Sequence, residues 1–255
     1  MANTLINVEL FKAGVEGKLG GKRKLAQFVE VESVEGLQVG TFNVVANEYV
    51  GDATVVGAGT AIPVSNLSQT KKPVKFEKIA KGVKVTDEDM RQGFGDPVGN
   101  AEDQTALAID GKMEAKVADL LKASTFTVEY DKLKSITAET ILEAIGTMGE
   151  ALEDAPYFLV VNPANFATLQ SFIKPSDNTA LNGTIYGAGV VMSTRIPAGE
   201  MALVQHGAIK EIVQKDVDVE PERKAGEKST YIYTDKIHAV YLADASKLVY
   251  IKSKA

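Results

Sequence analysis

At 255 residues and 27.2 kDa, the chain can form one large domain or two small ones, and 45% hydrophobic residues suit a globular core. Cysteine is absent, which excludes disulfides and thiol chemistry, and no run of about 18 apolar residues offers a membrane span. A net charge of −6, with a pI near 5.2, argues against a general nucleic-acid binder.

Residues 1–35 read as an arm, because glycine and charge interrupt every apolar period. Its start, MANTLINVELFKAG, lacks a charged n-region followed by an apolar stretch, so no signal peptide is expected. The cluster Lys18, Lys22, Arg23 and Lys24 lies among glycines and is expected to be a mobile, solvated segment.

Residues 36–85 read as a long β-hairpin. Phe42, Val44 and Val45 mark the first arm. The tip is polar and glycine-rich, with Gly51, Gly57 and Gly59, then Ser65, Asn66, Ser68, Gln69 and Thr70, and little apolar surface is expected there. In the second arm Val74 and Phe76 alternate with Lys75 and Glu77, and the arm continues through Val83 and Val85. A lone two-stranded hairpin is marginal in water, so a second copy of the chain is the expected support.

Thr86 before Asp87, Glu88 and Asp89 caps a short helix and places acids at the positive end of its dipole. Gly93, Gly95 and Pro97 end it. Val98 to Lys122 is the clearest helix, with Ala106, Ile109, Met113, Val117 and Leu120 in one stripe and Asp110, Lys112, Glu114 and Lys116 flanking it. Thr137 caps another, with Ile141, Ile145, Met148 and Leu152 on one face. Tyr157 to Val161 reads as a buried strand. Asn162 and Pro163 open a helix carrying Phe166, Leu169 and Ile173, and Pro175 to Asn182 is a polar loop. Strands at Val190–Met192 and Met201–Val204 flank a turn at Ile196–Gly199. Val217 and Val219 then alternate with Asp216, Asp218 and Glu220, a solvated acidic strand face. Pro221 to Lys228 reads as a charged loop before Tyr231, Tyr233, Ala239–Leu242 and the closing Leu248–Ile251. Helices and antiparallel strands without βαβ alternation give an α+β class.

No constellation carries catalysis. His206 and His238 have no metal-ligand spacing, and no GxSxG elbow is present. Gly17 to Arg23 lacks the serine or threonine of a phosphate loop, and Gly187-Ala188-Gly189 lacks a third glycine, since Met192 stands there. Catalytic, cofactor-binding and metal-binding residues are therefore all expected to be none. An enzyme using scattered Asp, Lys and Tyr would instead show a pocket of titratable groups.

The order of segments is the informative signal: the arm, the hairpin, VKVTDED at Val83–Asp89, LAIDGKMEAKVADLL at Leu107–Leu121, FLVVNPANFATLQ at Phe158–Gln170, GTIYGAGVVMSTRIPAGEMAL at Gly183–Leu203 and IVQKDVDVE at Ile212–Glu220. This order resembles the major capsid protein of tailed bacteriophages with the Hong-Kong-97-type fold. The resemblance implies an N-arm at 1–35 and an E-loop hairpin at 36–85. It implies a P-domain with a spine helix at 86–134 and 217–244, and an A-domain at 135–216 and 245–255. It further implies a virion subunit that assembles in the host cytoplasm as hexamers and pentamers around double-stranded DNA without sequence-specific binding, with no membrane. A portal and cement proteins are implied partners, and, because Met1 stands only a short way before the arm, the chain is expected either to depend on a separate scaffolding protein or to do without one. Lys71 and Lys72 lie near the hairpin, but no crosslink is assigned to them. A cargo-enclosing shell of the encapsulin type is the alternative with the same fold.

Overall fold

The computed structural model describes residues 6–21, 23–34, 40–47, 53–64, 69–92, 95–131, 136–149, 155–166, 169 and 184–254. The helices Val8–Lys18 (α1), Asp87–Gln92 (α2), Pro97–Lys122 (α3) and Ala138–Met148 (α4) combine with two sheets and a two-stranded ribbon.

Helix α3 begins where Asp96 accepts the Gly99 N–H and Pro97 occupies the first turn. At about 1.5 Å per residue it is roughly 39 Å long. Ala106, Ile109, Met113 and Val117 are buried as their spacing predicts. Leu121 rather than Leu120 completes the stripe, because the helix contacts both sheets along its length and the buried face widens toward its C-terminus. Asp110, expected to flank the stripe, is buried and accepts the Gly20 N–H.

The first sheet runs Val29–Ser33 (β1), Ile209–Lys224 (β10), Ser229–Leu242 (β11) and Glu77–Thr86 (β4), with β1 parallel to β10 and the other pairs antiparallel. Helices α1 and α3 cover one face, where Phe11, Val15, Ala101 and Ala106 meet Val217, Val219 and Ile232. Residues 221–228 are not a loop throughout. Pro221 to Lys224 continue β10 against Ile232 to Ser229, and only a turn at Ala225–Glu227, closed by Lys228 at φ 47°, is irregular. Proline is tolerated there because β1 pairs only with Ile209–Val213, which leaves the Pro221 stretch as an edge. Strand β4 is the other edge, and Lys78, Lys81 and Lys84 discourage it from pairing with foreign strands.

The second sheet has six strands: Phe126–Tyr130 (β5), Leu248–Ser253 (β12), Met201–Gln205 (β9), Tyr157–Val161 (β6), Ala188–Met192 (β8) and Thr184–Ile185 (β7), in that spatial order. Both faces are covered. Leu159, Val161, Leu203 and Val249 face α4 through Ile141, Ala144 and Met148. Val160, Ala202, Val204 and Tyr250 face Val117 and Leu121 of α3 together with Leu25 and Phe28. Each large aliphatic side chain fully buried here contributes about 1.5–3 kcal/mol. The Thr137 cap of α4 accepts the Thr140 N–H. Asn162 caps a 3₁₀ turn, Pro163–Asn165, and the described residues beyond it, Phe166 and the buried Leu169, are helical. Leu152, Ile173 and the expected loop at 175–182 lie outside the described residues.

The basic cluster near the N-terminus is not a mobile, solvated segment where it is described. Asn7 caps α1 by accepting the Glu9 and Leu10 N–H groups. Lys18 pairs with Glu102 at 2.9 Å and Asp103 at 3.4 Å. Glu114 accepts the Lys24 and Leu25 N–H groups. Arg23, almost fully buried, pairs with the fully buried Glu211 at 2.8 Å. With Asp110 on the Gly20 N–H, five carboxylate-bearing residues therefore fasten residues 18–21 and 23–25 to the body. Lys22 lies outside the described residues.

Candidate assembly surface

The strands Thr41–Asn47 (β2) and Gln69–Lys75 (β3) pair antiparallel, with Phe42 opposite Val74 and Asn47 opposite Gln69. Gln69 and Thr70, expected in the tip, thus belong to the second arm. The second arm does not stay in the hairpin. After Phe76, whose N–H donates to the Gly40 carbonyl, it becomes β4 and joins the first sheet. The ribbon is anchored at its base, where Val74 and Phe76 are buried against Ile212 and Ala239, with Phe42, Val44, Ile237 and Tyr241 around them.

Its far end is different. Residues 53–64 contain no charged residue. Val55 is 100% exposed, Val64 91% and Ile62 78%. A turn forms where the Thr60 N–H donates to the Gly57 carbonyl, and Gly59 supplies the φ of 85° that a type II turn requires at that position. The expectation of little apolar surface at the tip is therefore wrong for these residues. The aliphatic side chains lay hidden among glycines and alanines in the sequence, and no strand pattern drew attention to them. Gly51, Ser65, Asn66 and Ser68 lie outside the described residues, and Lys71 and Lys72 are exposed. Single exposed aliphatics are ordinary. Several on one uncharged protrusion offer about 1.5–3 kcal/mol each to whatever covers them.

The same chain matches a family model described as phage capsid protein over residues 69–251. It is 32% identical to the major capsid protein of Staphylococcus phage phiMR11, across 95% of this chain and 92% of the relative. The chain belongs to the phage capsid protein family. Solved structures agree in fold. The capsid of the cyanophage P-SCSP1u aligns with a TM-score of 0.72 at 11% identity, covering 90% of this chain and 88% of that one. A virus-like particle from Pyrococcus furiosus aligns with a TM-score of 0.67 at 15% identity, covering 96% and 98%. Fold alone therefore does not separate a phage head from another shell. The phage relative and the family match do, and they do not favour the cargo-shell alternative.

This capsid protein is a structural shell subunit and not an enzyme, and its polar clusters have structural partners. The Arg223 guanidinium donates to both carboxylate oxygens of Asp87 at 2.6 and 2.5 Å and holds that carboxyl below its ordinary range. Asp218 is bound by Lys215 and lies below its ordinary range for that reason, and Asp216 pairs with Lys236. The acidic strand face is thus partly neutralised within the chain. His238 is buried against Glu211, whereas His206 is exposed. Gly187 and Tyr186, both with positive φ, form the two-residue turn between β7 and β8. Among the described residues no group of His, Asp and Glu is arranged to hold a metal ion, and no helix is long and apolar enough to cross a membrane. An open groove of about 820 Å³ beside β4 is lined by lysines, amides and the carboxylates of Asp89 and Asp96. It carries no nucleophile paired with a base.

Proposed function

We propose that this capsid protein builds an icosahedral phage head of the Hong-Kong-97 type, assembling as hexamers and pentamers that enclose double-stranded DNA. The ribbon ending at Phe76 serves as the E-loop and residues 1–35 as the N-arm, with β4 joining the P-domain of 86–134 and 217–244, and the A-domain at 135–216 and 245–255. One observation carries the reading: residues 53–64, free of charge, expose Val55, Ile62 and Val64 beyond a ribbon whose base is firmly packed. A neighbouring copy covers that tip. Each contact is weak, but a subunit in a closed shell makes several at once, and the product is strong. The net charge of −6 keeps duplex DNA loosely held, so the genome can slide. A separate scaffolding protein, a portal and cement proteins complete the head, and assembly takes place in the host cytoplasm.

Electron microscopy of the purified protein tests this reading. Rings of five and six subunits and closed shells are expected. A monomer that persists at high concentration with added scaffold would overturn it.

A further inference from the structure

The ribbon has two outer edges, and they are not alike. Residues facing one another across an antiparallel pair alternate between bonded and unbonded. The Phe76 N–H donates to the Gly40 carbonyl opposite it. The bonded pairs that follow are therefore Phe42 with Val74, Val44 with Lys72 and Ala46 with Thr70. The N–H and C=O groups of Thr41, Asn43, Val45 and Asn47 point away from β3. On the far side the backbones of Lys71, Pro73 and Lys75 point away from β2. Pro73 thus sits where the ribbon needs no donor, and proline and lysine both close an edge to further strands.

The edge of β2 has no such guard. Its sequence, TFNVVAN, holds neither charge nor proline, and among the described residues only β3 pairs with it. The other edge strands of the described residues are protected: β1 by Glu30 and Glu32, β4 by Lys78, Lys81 and Lys84, β5 by Glu129, and β7 by its length of two residues. Two strands alone are marginal in water, and a third would complete the ribbon. Residues 53–56 have the opposite need. They carry no charge, they pair with no strand among the described residues, and Thr54, Val55 and Val56 are β-branched residues suited to one. Beyond the turn, residues 61–64 are interrupted by Pro63 and suit a strand less well.

We infer that residues 53–56 of one subunit add as a third strand to the free edge of β2 on a second copy. Main-chain hydrogen bonds to Thr41, Asn43, Val45 and Asn47 hold the added strand, as in other strand-addition contacts. An uncharged strand meets an uncharged edge, so no charge is buried without a partner. The donating segment and the receiving edge are different parts of the chain, which makes the contact heterologous. Repeated head to tail, such a contact closes into a ring. The inference rests on the shell reading and names the surface on which the tip of one subunit comes to rest.

The test uses the full chain, which has no native cysteine. Asn43→Cys and Thr54→Cys subunits, both exposed positions, are assembled separately and as an equal mixture, then treated with a short bifunctional thiol reagent. Mixed particles should give covalent dimers, and particles of either variant alone should give monomers. Mixing keeps the two thiols on different chains, so a link within one subunit cannot imitate the contact. Asn43→Pro reads the backbone: it removes an outward N–H and no bond of the ribbon. The subunit should melt as the wild type does, while particle yield falls at least about tenfold, because the missing donor recurs at every subunit. Should Asn43→Pro alter the melt, the mixed cysteine particles decide. Mixed particles that yield only monomers, dimers from Asn43→Cys alone, or full yield from Asn43→Pro would overturn the strand addition alone. Absence of wild-type particles would overturn the shell reading and this contact with it.

Discussion

With aspartate replacing both Val55 and Ile62, the subunit folds and melts as the wild type does but forms no closed shells. The two halves of this expectation have different physical origins. In the free subunit Val55 is fully exposed and Ile62 78% exposed. Surface substitutions of this kind change stability by less than about 0.5 kcal/mol. On the proposed reading the same positions lie against a neighbour in the shell, and burying an unpaired carboxylate there costs several kcal/mol. That cost recurs at every subunit, so assembly should fall by orders of magnitude and not by a fraction. Sedimentation and thermal melting on one preparation read the two halves separately. Wild-type shell yield would show that the tip is not a contact. Replacing residues 53–64 by a short Gly/Ser turn is a cleaner deletion than removing Gly51 to Lys72, because the latter also takes Gln69–Lys72 out of β3.

The second large effect lies in the core. Arg23→Ala should destabilise the subunit by about 3–5 kcal/mol, since removing one partner of a buried ion pair strands the other. For a chain of this size that is a fall in Tm of roughly 10 °C. Glu211 is the stranded group, with its side chain 0% exposed. Burial pushes its carboxyl upward, but His238 Nδ1–H and the Arg23 guanidinium outweigh burial, and the net shift is downward. A carboxyl lowered on folding stabilises above its unfolded pKa, near 4.3, and that contribution is lost as pH falls through the lower folded value. The variant should therefore begin to unfold at a higher pH than the wild type on acid titration. Urea unfolding at neutral pH checks the magnitude, and a loss below about 1 kcal/mol would mean that Arg23 is not needed to neutralise Glu211.

Regular periods and caps were readable directly from the chain. The stripe Ala106, Ile109, Met113, Val117 is the buried face of α3, and Thr137 and Asn162 cap as their residue types suggest. The strand YFLVV lies mid-sheet, as a continuous apolar run should. The failures share a cause, which is that distant residues decide the outcome. Phe11 and Val15 are spaced for a helix, yet Gly14 and Gly17 weaken the local preference. Helix α1 forms because those two side chains dock on α3 and β10. Residues 221–224 look like a loop through proline and charge, but they extend β10 because β11 supplies a partner strand and β1 stops short. The pairs Arg23–Glu211 and Asp87–Arg223 join positions 188 and 136 residues apart, a separation no local pattern reveals. A hairpin too long to stand alone points to a neighbour, whereas the apolar side chains of residues 53–64 are visible only as exposed surface.

Amide hydrogen exchange across residues 53–64, compared between free subunits and assembled particles, is the most direct measurement. Fast exchange in the free subunit and strong protection in the particle, with α3 slow in both, is the expected result. Equal exchange rates for the tip in the two states would contradict a subunit that completes its surface only on a neighbour.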